Sequence, residues 1–178
     1  MSSPTDGSVI VERCPAGASF WSMLGQVVAV VFSSIGAAYG TAKAGSGLGV
    51  AGLINSAPVT KLTLPVIMAG ILSIYGLITS LLINSRVRSY TNGMPLYVSY
   101  AHFGAGLCCG LAALAAGLAI GVSGGAAVKA VAKQPSLFVV MLIVLIFSEA
   151  LALYGLIIAL ILSTKSADSN FCISSVNQ

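Results

Sequence analysis

A chain of 178 residues has room for one soluble domain, but 57% of this one is apolar, only 7% is charged, and its mean hydropathy is +1.02. That composition excludes an ordinary water-soluble globule. A net charge of +4, dispersed in pairs, likewise excludes the basic stripe of a nucleic-acid-binding protein.

Crossing a bilayer takes about 20 predominantly apolar residues in helical form. Four such stretches are predicted, at 18–42, 62–83, 96–122 and 137–162. The segment before Pro15 is polar and includes Asp6 and Glu12, and no small-residue cleavage site follows the first apolar run, so the first span is read as its own insertion signal. Lys43 and Lys61 bracket the first connection, which holds "GLGVAG" at 47–52; without a preceding strand that motif is a turn rather than a nucleotide site. Arg86 and Arg88 occupy the second connection, at 84–95, as a solvated loop. Lys129 and Lys133 occupy the third. With Arg13 and Lys165 at the outer ends, positive charge divides evenly between the two sides and does not orient the chain. His102, near the start of the third span, is expected as a hydrated interfacial residue. Cys108 and Cys109 lie inside that span while Cys14 and Cys172 lie in the tails, and no spacing among them points to a metal or a redox pair. All four are expected as packing or surface thiols.

The chain resembles itself. "IYGLITSLLI" at 74–83 matches "LYGLIIALIL" at 153–162 with a shift of 79, and a shift of 81 places Gly25 on Gly106, Gly36 on Gly117 and Gly40 on Gly121. The reading is a duplicated helical hairpin in parallel orientation, 18–83 and 96–162, flanked by tails at 1–17 and 163–178. Spans one and three are crowded with Gly, Ala and Ser at four-residue spacing, which permits the close helix contact that association in lipid depends on. Spans two and four, rich in Leu, Ile, Val and Met, are expected outside them. An isolated four-helix bundle fits the same pattern.

One residue breaks the apolar rule. Glu149 sits near the middle of "LIVLIFSEALALYGLIIALI", where an ionised acid costs about 2.5–3.5 kcal/mol on insertion scales. The usual escape is to stay protonated and neutral. Its helical neighbours Leu145, Ala152 and Leu153 offer no polar group, so a partner must come from elsewhere, with Tyr75 and Ser73 as candidates. A lone carboxyl can bind and release a proton but cannot relay it, which favours a shuttle that is neutral facing lipid and ionises against a cation on a partner. In the first hairpin the equivalent position is Gly70. A tetraspan scaffold or junction protein and a self-contained channel or carrier are the rival readings.

"GAAYGTAKAGSG", "PVIMAGI", "IYGLI", "GLAAGLAIG" and "LFVVMLIVLIFSEALALYGLIIALIL" closely resemble the proteolipid c subunits of eukaryotic vacuolar-type proton-translocating ATPases, over residues 12–165. The resemblance implies an all-α membrane protein that forms a rotor ring with other proteolipids and turns against a stator protein, the a subunit, carrying an essential arginine. Glu149 matches the proton-carrying glutamate, and Gly70 the site that lost its carboxyl on duplication. Also implied are central-stalk contacts at cytosolic loops near Lys43–Lys61 and Gly121–Gln134, lumenal termini, and a vacuolar, other acidic endomembrane or plasma-membrane location. The chain carries no ATP-binding residues, cofactor or metal of its own, so catalysis is expected in a separate sector. Ser148 and Tyr154 are further supporting candidates around Glu149, and Phe147, Leu151 and Tyr154 are candidates for the surface that macrolide inhibitors bind. Where sodium-pumping relatives place Thr and Gln ligands, this chain has Ile71, Leu72 and Ile120, so the expected ion is the proton. The chain departs from relatives in "GGAAVKA" at 124–130, in "FSEALALYG" at 147–155, and in its longer tail from Ser166.

Overall fold

The computed structural model describes residues 14–15, 17–54, 59–90, 93–165 and 172. Four long helices dominate: α1 (Ala18–Ile54), α2 (Leu64–Val87), α3 (Leu96–Lys133) and α4 (Phe138–Ser163), with one helical turn at Val59–Leu62 and a 3-10 turn at Pro135–Leu137. Among the described residues there is no strand. All four are long and apolar enough to cross a membrane, and the protein is an all-α, multi-pass membrane protein. Proline marks the later starts: Pro65 in the first turn of α2, Pro95 just before α3, and Pro135 in the turn leading to α4. At these positions the missing N–H has no helical partner to lose. Most of the 1–17 and 163–178 tails lies outside the described residues.

The sequence reading ended the first and third spans too early. α1 runs for 37 residues and α3 for 38, about 56 Å each at 1.5 Å per residue against a hydrocarbon core of about 30 Å. The expected loops at Lys43–Lys61 and Gly121–Gln134 are therefore mostly helix that projects beyond the membrane. "GLGVAG" is not a turn but part of α1. Glycine lowers helix propensity, and tertiary packing outweighs it here, because Gly47 lies against Gly125 of α3: a Cβ at Gly47 would stand 2.6 Å from the Gly125 carbonyl oxygen.

That contact belongs to a seam running the length of both helices. The buried residues of α1 recur in steps of three and four, from Ala18 through Ser22, Gly25, Ala29, Ser33, Gly36, Gly40, Ala44 and Gly47 to Ala51. A Cβ on Gly25 would meet the His102 carbonyl oxygen at 2.6 Å, and one on Gly36 would meet Leu114 Cα at 2.6 Å. From the other side, Cβ atoms on Gly106 and Gly117 would run into the backbones of Gly25 and Gly36. The residues equated by the 81-residue shift are the ones that touch. The two copies of the repeat thus pack in parallel without stagger, as close van der Waals association in lipid requires.

Each hairpin closes in the same way. Gly76 of α2 crosses α1 at Ala29 and Ser33, and Gly155 of α4 crosses α3 at Cys108 and Ala112. The α2 and α4 helices expose Ile67, Ile74, Leu77, Leu81, Val139, Ile146, Ile157 and Ile161 among others, which suits lipid contact.

Both tails meet at the end of the bundle opposite the helical projections. Trp21 packs against Tyr100 and Phe103 there, with ring centroids 5.4 and 5.6 Å apart, an aromatic group of the kind that marks a membrane interface. Two expectations are corrected at this end. Cys14 and Cys172 are not free thiols but form a disulfide across 158 residues of sequence; only the approach of the two tails creates the pairing, so no local spacing announced it. Gly93, at φ +103° in the connection between α2 and α3, lies against Cys172, in a conformation that L side chains rarely adopt. His102 is fully buried rather than hydrated, with its Nδ1 3.2 Å from Ser22 Oγ.

Candidate functional site

The buried face of α4 consists of Met141, Leu145, Glu149, Ala152, Gly155, Ala159 and Ser163. This spacing puts Glu149 on the seam that faces the bundle, near the middle of the helix. Its seam neighbours Leu145 and Ala152 share a core cluster with Leu72 of α2 and Ala113, Ala116 and Ile120 of α3. The carboxyl is therefore not turned to lipid, as the sequence reading had it: Glu149 is 8% exposed and directed inward.

Among the described residues one polar group reaches it. Tyr75, on α2, donates its hydroxyl hydrogen to Glu149 Oε1 at 2.7 Å. The other carboxyl oxygen, Oε2, is buried and has no hydrogen-bond partner among the described residues. A carboxylate needs several donors or a nearby cation to be held charged in a dry interior, and this one has a single neutral donor. One carboxyl oxygen is thus anchored and the other unsatisfied among the described residues.

The remaining candidates separate clearly. Ser73 bonds the carbonyl of Gly70 in its own helix at 2.9 Å, and Ser148 bonds that of Val144 at 2.9 Å, so neither hydroxyl turns to the carboxyl. A hydroxyl in a helix has its own i−3 or i−4 carbonyl within reach, and the sequence alone cannot say that it will prefer it. Phe147, Leu151 and Tyr154 stand on the outer surface, 71%, 54% and 62% exposed. At Gly70 nothing lies within 4 Å of where a Cβ would be. Leu72 and Ile120 are fully buried in the cluster beside the carboxyl's seam, and among the described residues no group of His, Cys, Asp and Glu could hold a metal ion.

Known proteins resemble this chain along most of its length. The sequence profile of the ATP synthase C subunit family matches it twice, over residues 24–83 and 103–162, once for each hairpin. The 16 kDa proteolipid c subunit of the V-type proton ATPase from Ovis aries is 51% identical over 151 residues, covering 85% of this chain and 96% of that protein. The protein of the same description from Homo sapiens is 50% identical over 151 residues, with 85% and 96% covered. The one from Ascaris suum is 48% identical over 150 residues, with 84% and 93% covered.

Proposed function

Because the chain belongs to the ATP synthase C subunit family, we propose that it is a proton-carrying rotor subunit of the membrane sector of a vacuolar-type ATPase. Glu149 binds the proton. The observation that carries this reading is a carboxyl on the buried face of a membrane helix, with Tyr75 as its single partner among the described residues. Intramembrane acids of this kind mark ion pathways. In the cycle, Glu149 is neutral while held against Tyr75. At the stator it leaves Tyr75, swings outward, and gives up its proton beside the stator arginine, whose charge stabilises the carboxylate; reprotonation from the opposite face lets it return. Other proteolipids in a ring, the arginine-bearing stator protein and the central stalk are the partners. ATP is hydrolysed by other subunits.

The choice of proton over sodium follows from what surrounds the carboxyl. A dehydrated hard cation needs a shell of oxygen ligands, whereas Leu72, Ile120, Ala113 and Ala116 line the adjoining core.

A hydrophobic carbodiimide, which attacks protonated carboxyls in apolar surroundings, tests the reading directly. It should modify Glu149, detected on the peptide by mass spectrometry, and inhibit pumping in proportion. Pumping that survives full modification would overturn the proposal.

The Cys14–Cys172 disulfide supports an orientation that charge leaves open. Disulfides persist in oxidising compartments and are reduced in the cytosol, so the end carrying both tails faces the lumen and the projecting ends of α1 and α3 face the cytosol and the stalk. An impermeant phosphine reductant, added to sealed vesicles with the cytosolic side outward, should leave the bond intact until detergent is added. Reduction before permeabilisation would reverse the orientation.

A further inference from the structure

The correspondence between α2 and α4 allows each position of one hairpin to be compared with its equivalent in the other. Several pairs agree: Gly76 and Gly155 are both buried, while Ile74 and Leu153, and Ile78 and Ile157, are both exposed. One stripe does not. In α2, Leu72 and Thr79 are 0% and 1% exposed, and Tyr75 between them is partly buried. Their equivalents in α4, Leu151, Tyr154 and Ile158, are 54%, 62% and 48% exposed. The spacing of three and four residues places each set on one helix face. In α2 that face is covered by the second hairpin.

The step that carries the first hairpin onto the second, applied once more, lays a third hairpin over the open stripe. We propose that Leu151, Tyr154 and Ile158 form the docking surface for the α1–α2 hairpin of a second copy of this chain, with Tyr154 entering the notch at that copy's Gly70. This rests on the ring reading given above and deepens it to a named joint.

Three observations identify the occupant. Tyr75 reaches position 149, so its equivalent Tyr154 must reach the equivalent of 149, which is position 70 of the next copy. Gly70 leaves that place open, with nothing within 4 Å of a Cβ. The equivalents between copies of Thr79 and Cys109 are Ile158 and Val28, both apolar. An apolar pair thus meets between chains, as suits a joint made in lipid. The joint is head to tail, of the type that closes into a ring when the rotation allows. Two kinds of joint then alternate around the ring: within a copy a tyrosine holds a carboxyl, and between copies a tyrosine fills the space where one is missing.

Cysteines at both Gly70 and Tyr154, treated in native membranes with a short bismaleimide, should give a ladder of two, three and more linked copies on a denaturing gel. The unaltered chain should give none. Tyr75→Cys with Glu149→Cys should stay at the mobility of one chain. Co-expressed single variants, Gly70→Cys in one copy and Tyr154→Cys in another, should give linked copies without requiring either chain to tolerate two changes. Rings that assemble on a native gel but yield no ladder would overturn the joint and leave the functional reading standing. Unaltered chains that form no ring at all would overturn both.

Discussion

Replacing Glu149 with glutamine is expected to stop proton pumping completely while leaving the protein folded and assembled. Glutamine has nearly the same shape, and its carbonyl oxygen still accepts the hydrogen that Tyr75 now donates to Oε1 at 2.7 Å. Its amide N–H group goes where Oε2 is already buried and unpartnered, at a cost of about 1–3 kcal/mol for an unsatisfied donor. A ring of tightly packed helices absorbs that. What glutamine cannot do is ionise, so in the proposed cycle no proton would be carried or released. Acidification of vesicles by the purified complex, read beside ring assembly on a native gel, checks both halves. Glu149→Asp keeps the chemistry but shortens the side chain by one methylene, drawing it away from Tyr75. Loss of a hydrogen bond between neutral groups costs about 0.5–1.5 kcal/mol, and pumping should fall by up to roughly tenfold without vanishing. The glutamine substitution also separates the rival readings: a scaffold or junction protein would tolerate it, and a self-contained carrier would transport when reconstituted alone. Full acidification by the glutamine variant would remove the basis of the proposed function.

The second large effect concerns the seam between α1 and α3. Gly117→Leu is expected to prevent stable folding, because even a Cβ at that position would collide with the Gly36 backbone. Backbone cannot move aside as a flexible side-chain end can, so α1 and α3 would have to separate along their shared face. Overpacking a well-filled core costs about 1–3 kcal/mol for a modest excess of volume, and here four carbons are added where there is no space for one. In lipid no hydrophobic drive between helices compensates for lost van der Waals contact. The contrasting variant is Gly49→Ala, on the same helix pair but with nothing within 4 Å of its Cβ position. Alanine there should be tolerated and stabilise the helix by about 0.5–1 kcal/mol. Thermal denaturation in detergent and the yield of folded protein in membranes measure the contrast. Equal behaviour of the two variants would refute the seam.

Much of the architecture was legible in the residues. Four apolar stretches became four membrane helices, and the glycines matched by self-comparison became the touching pairs of α1 and α3. Tyr75 was found as a partner for Glu149 because nothing on α4 could serve. Other features escaped for physical reasons. The helices run past their apolar portions because glycine and alanine at 43–54 and 121–133 are stabilised by facing one another, which hydropathy does not register. Ser73 turned to its own helix because a carbonyl lay closer. His102 looked interfacial from its place near the start of a span, yet Ser22 of α1 encloses it.

The sequence by itself determined that the chain lives in lipid, that it is built from one hairpin used twice, and that a single acid lies at mid-membrane. All three follow from hydrophobicity and periodicity, properties that each segment carries alone. Only the tertiary structure decided which way Glu149 faces, which hydroxyl reaches it, that Cys14 and Cys172 join, and which stripe of α4 is left uncovered. These depend on how distant segments are set beside one another, and distances across the bundle are fixed by glycine contacts between helices rather than by the order of residues along any one of them.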